Sequence, residues 1–90
     1  MQTLKVDFIN GDFSSKEALE ILSQVYAHKI RFHELKNFSH TERHGFADTA
    51  SLIRIKQLKD ALDKLNALLN NVTQSNFNVY IQSDITLTIT

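Results

Sequence analysis

Ninety residues carry ten basic and ten acidic side chains, so the formal net charge is zero, and 42 % of the chain is hydrophobic. Those values suit a globular domain and argue against a disordered chain or a strongly basic nucleic-acid binder. No apolar run approaches the ~18–20 residues of a membrane span, the first five residues lack a signal-peptide core, and without cysteine there is no disulfide, thiolate zinc site or Cys nucleophile. A cytoplasmic protein with no membrane partner is the expectation. A chain of this length forms one domain, residues 1–90, and buries only about 60–65 % of its unfolded surface. Such a domain gains stability from a second copy or another partner.

In chain order, Leu4, Val6 and Phe8 alternate with Lys5 and Asp7, which predicts a half-buried strand of about six residues. Asn10-Gly11-Asp12 has turn chemistry and is expected to end it. Ser14 and Glu17 have capping-box spacing, so a helix should begin at Ser15. Nothing breaks it before Gly45, which suits a left-handed C-terminal cap, although Asn37 to Thr41 has poor helix propensity. Asp48 is the expected N-cap of a second helix, closing at Asn70-Asn71. Its Ile55, Leu58, Leu62, Leu65, Leu69 and Val72 are spaced 3, 4, 3, 4, 3, a seam suited to a helical hairpin. From Phe77 on, every odd position except Ser83 is apolar. A β-hairpin with its loop at Gln82-Ser83-Asp84 is favoured over one long strand.

The expected fold is therefore α+β, in the order β-α-α-β-β, with a long antiparallel helical hairpin packed on a small antiparallel sheet. A helix of about 45 Å outruns strands of about 23 Å. The far end of the hairpin then lacks cover from the sheet. Phe32, Leu35, Phe38 and Phe46 lie there and are the candidate partner interface, most simply for a homodimer. The strand edges Leu4–Ile9 and Ile85–Ile89 offer a second route to association.

Chemistry-bearing patterns are sparse. No nucleophile elbow, phosphate-cradling glycine loop or paired-carboxylate motif occurs, so no catalytic residues and no cofactor are expected. On a helical wheel Leu22, Tyr26, His33, His40 and His44 fall within about 40° of one another. His40 and His44 have the i, i+4 spacing that lets two imidazoles reach one metal ion, with His33 earlier on the same stripe and Asp48, or Glu42 if the helix frays, as a carboxylate. Against that stands the commoner use of histidine in a last helical turn, opposing the negative helix end. Residues 29–64 hold eight Lys/Arg against five Asp/Glu. Lys29, Arg31, Lys36, Arg43 and Arg54 could carry weak nucleic-acid binding, but interspersed acids make a solvated face the simpler reading. The leading expectation is a small non-enzymatic protein–protein interaction or regulatory module that self-associates. The alternatives are a metal- or pH-sensing module and, after it, a weak nucleic-acid binder.

Overall fold

A computed structural model describes residues 2–72 and 77–90, with Val72 described in its backbone only. The chain is α+β in the order β1 (Gln2–Ser14), α1 (Ser15–His44), α2 (Thr49–Val72) and β2 (Asn78–Ile89). The helices form an antiparallel hairpin, and the two strands form an antiparallel ribbon.

Two expectations about the strands need correction. The C-terminal segment is a single strand of 12 residues, not a hairpin, so the order is β-α-α-β. β1 does not end at Asn10-Gly11-Asp12 but runs 13 residues to the first helix. Both corrections have one cause. Each strand gives the other a partner along its length from Gln2↔Ile89 to Ser14↔Asn78, broken only at Phe8, which satisfies more backbone than a short strand and a hairpin would. Gly11 accordingly keeps an ordinary negative-φ backbone; the positive-φ glycine is Gly45. Asn10 does not turn the chain but accepts a cross-strand hydrogen bond from the Tyr80 hydroxyl.

A bulge sets the chemistry of the ribbon. Pairing runs Val6↔Ile85 and Asp7↔Asp84, then resumes at Ile9↔Ser83, leaving Phe8 as the extra residue. Directly paired residues share a face, and strand side chains alternate faces. Without the extra residue, Leu4 and Val6 would point one way and Ile9 and Phe13 the other. With it, all four lie on the face of Val79, Ile81, Ile85, Leu87 and Ile89. The opposite face is Thr3, Lys5, Asp7, Asn10, Asp12 and Thr88 and their polar neighbours. There the like charges of Asp7 and Asp84 stand opposite each other, and Lys5 relieves them from 3.5 Å.

β1 passes into α1 without a loop, across the expected capping box. The Glu17 N–H donates to the Ser14 hydroxyl at 3.1 Å, and the Ser14 N–H donates to the Glu17 carboxylate at 2.9 Å. The Ser14 N–H, and after it the Ser14 hydroxyl, holds the Glu17 carboxyl below its ordinary pKa. Ser14→Ala is expected to destabilise the protein by about 1 kcal/mol, measurable as a lower urea midpoint at unchanged slope.

α1 continues unbroken past Asn37 to His44 and ends on Gly45 at φ 76°. The weak stretch is held by its own side chains. Asn37 accepts 2.8 Å from the Asp48 N–H across the turn, and its carbonyl accepts 2.9 Å from the Thr41 hydroxyl. The poor helix former thus clasps the start of the second helix to the first. Asp48 is the N-cap of α2, as expected, and its carboxylate receives the hydroxyl of the buried Ser51 at 2.9 Å.

Packing is thin. Among the described residues the buried apolar side chains are Ala18, Ile30, Leu58 and Leu69. The last two belong to the predicted seam; Val72 lies at the helix end, its side chain outside the described set. The molecule measures 51 × 33 × 14 Å, with a radius of gyration of 16.4 Å. A compact domain of 90 residues has a radius of about 12 Å. The strands, about 40 Å long at ~3.3 Å per residue, are longer than expected but do not cover the hairpin. Among the described residues, those that line the cleft between ribbon and hairpin lie mostly in the proximal half of each, such as Ile9 and Ile81 against Leu22 and Leu65.

Candidate functional site

Between ribbon and hairpin lies an open apolar cleft of about 540 Å³. Phe8, Ile9, Val79 and Ile81 form its ribbon wall; Leu22, Val25, Tyr26, Leu58, Leu65 and Leu68 form its helical wall. Lys29 and Arg54 stand at its outer end. Sequence reasoning did not find this cleft. Its helical wall follows from the seam, but its ribbon wall depends on the bulge, which alternation alone does not disclose.

Beyond the cleft the two arms separate, and each leaves apolar side chains in water. On the ribbon these are Leu4, Val6, Ile85, Leu87 and Ile89. On the hairpin the predicted interface residues Phe32, Leu35, Phe38 and Phe46 are 59 %, 52 %, 62 % and 64 % exposed, and Leu52 and Ile53 join them. Phe38, Leu52 and Ile55 line a shallow pocket on one side of the hairpin. Phe46 does something the sequence did not indicate: its ring packs on His40 and His44, at 5.2 and 5.8 Å between centroids.

The histidines divide accordingly. His40 and His44 come together, with ring centroids 4.5 Å apart. His40 Nδ1 donates 3.0 Å to the Phe46 carbonyl, so that ring ties down the turn. Asp48, expected to offer a carboxylate, is engaged as the helix cap, and the Ser51 hydroxyl holds it below its ordinary pKa. Glu42 stays within the unfrayed helix. His33 stands seven residues before His40, about 10 Å along the helix axis. Among the described residues, no three His, Asp or Glu side chains are arranged to hold a metal ion. His33 has a different environment. Its two ring nitrogens are sealed from solvent without a hydrogen-bond partner, and Phe32 packs edge-on at 5.2 Å. Desolvation, followed by the charges of Lys29, Lys36 and Arg54, lowers its pKa, while Asp48 opposes them.

The basic residues are partly gathered. Lys36 and Arg43 line a pocket with His40, His44 and Asp48, while Lys29 and Arg54 edge the cleft. Lys29, Lys36 and Arg43 recur every seven residues, so they share one face of α1 with the histidines. Arg31 does not belong to that face. Arg54 donates 3.1 Å to Gln57.

Among the described residues, no helix is long and apolar enough to cross a membrane. No protein-family model matches the chain, and no curated protein or solved structure shows significant similarity to it.

Proposed function

We propose that this chain is a small, non-enzymatic protein–protein interaction module of the cytoplasm that works as a homodimer in a regulatory or structural role. One observation carries that reading. The chain exposes 7065 Å², whereas a compact monomer of 10.3 kDa exposes about 5,350 Å². The excess is about 1,700 Å² per chain. Burying it on both members of a pair would remove about 3,400 Å², the range of obligate dimers.

The chemistry of the surface supports the same reading. Most of the uncovered large apolar residues form two groups, one on the hairpin end and one on the ribbon end. Among the described residues the sheet has two strands, so each strand also has a free edge. The carboxylates with lowered pKa, Glu17 and Asp48, serve as helix caps. A net charge of zero lets two copies approach without mutual repulsion.

Sedimentation velocity or light scattering at micromolar concentration tests the proposal. The expected result is a mass twice that of the chain, held on dilution to about 1 µM. A single-chain mass with full helical circular dichroism would overturn it.

A further inference from the structure

Besides the hairpin end, the single chain leaves two apolar features at the ribbon unsatisfied, and they complement each other. One is the arm, the distal ribbon formed by residues 2–7 and 84–89. Its apolar face presents Leu4, Val6, Ile85, Leu87 and Ile89 at 38–65 % exposure. The other is the open cleft between the proximal ribbon and the hairpin. A two-stranded ribbon is marginal in water unless its apolar face packs on something. The arm of the same chain cannot fill its own cleft, because that arm is the continuation of one wall.

We infer that each arm packs into the cleft of a second copy, giving a homodimer closed by reciprocal arm exchange. This rests on the homodimer reading and names the contact that makes it. One twofold operation supplies both missing partners at once, and closure follows because each copy gives one arm and receives one. The arm's face carries no charged side chain, so its burial strands no ion. Lys5, Asp7 and Asp84 lie on the opposite face and stay in water. The same face continues past Ser83 and Gly11 into the cleft wall, through Ile9, Ile81, Phe13 and Val79. The partner's arm therefore meets surface of its own kind. A ribbon-to-ribbon contact would cover the arms but leave the clefts open, and pairing through the hairpin ends would leave both arms bare.

The chain has no cysteine, so introduced ones report cleanly. Leu87 on the arm and Leu68 at the cleft are 55 % and 62 % exposed, and replacing either removes little from the single chain. A mixture of Leu87→Cys and Leu68→Cys chains, mildly oxidised, should give a disulfide-linked pair containing one of each. Leu4→Asp/Leu87→Asp should keep its helical circular dichroism and weaken dimerisation at least about a hundredfold, since each pair would bury four unpaired carboxylates. A wild-type monomer overturns both the homodimer and the exchange. A dimer that survives the two aspartates, or that crosslinks only Leu87→Cys to itself, overturns the exchange and leaves the homodimer standing.

Discussion

Leu58→Ala is expected to cost about 3.5 kcal/mol, the middle of the range for a buried leucine, and to lower the urea midpoint by about 1 M or more. Leu58 is 5 % exposed and sits where the hairpin seam meets the floor of the cleft. Truncation exposes buried apolar surface and widens the cleft it lines, and neighbours that already border a cleft have little to collapse against. Domains of this size hold about 5–13 kcal/mol in total, at 0.05–0.15 kcal/mol per residue. This one has few buried apolar side chains to share the loss. Equilibrium unfolding by circular dichroism checks it at fixed protein concentration, because association adds to stability by mass action. A loss below about 1 kcal/mol would mean that Leu58 is not a main support of the hairpin.

His33 should make stability fall with acid. The fold holds the His33 ring with both nitrogens sealed off, facing Lys29 and Lys36 from its own helix, Arg54 from the second helix and Asp48 before it. Desolvation and those three cations put its folded pKa below 6.5; one carboxylate does not reverse them. The unfolded chain takes up the proton near 6.5. Between that value and the lower folded one, the unfolded state binds more protons, so stability declines as pH falls through the window. It is at its full value above the unfolded pKa. Thermal melts of wild type and His33→Leu between pH 8 and 5 measure this. The wild-type melting temperature should drop below pH 6.5, and the slope should be shallower in the variant. Parallel curves would remove His33 as the cause.

Much of the candidate surface was legible along the chain, for a local reason. Whether Phe32, Leu35 and Phe38 share the end of a long helix depends on spacing, a cap at Ser14 and a stop at Gly45, all within a few residues of where they act. The helical seam at Leu58 and Leu69 was readable on the same grounds. Asn37 was misleading by propensity alone. Its weakness as a helix former is offset by a bond to Asp48, eleven residues on, that no local pattern contains.

The sequence by itself determined the α+β class, the helical hairpin, its caps and the uncovered aromatic end, because helix periodicity and capping are short-range physics. Only the tertiary structure decided that both end segments are long single strands, that Phe8 is bulged, and that an apolar cleft opens beneath an uncovered arm. Those features depend on pairing between residues some 80 positions apart, such as Leu4 with Leu87. Strand register and the parity shift at a bulge belong to the pair, and neither strand encodes them alone.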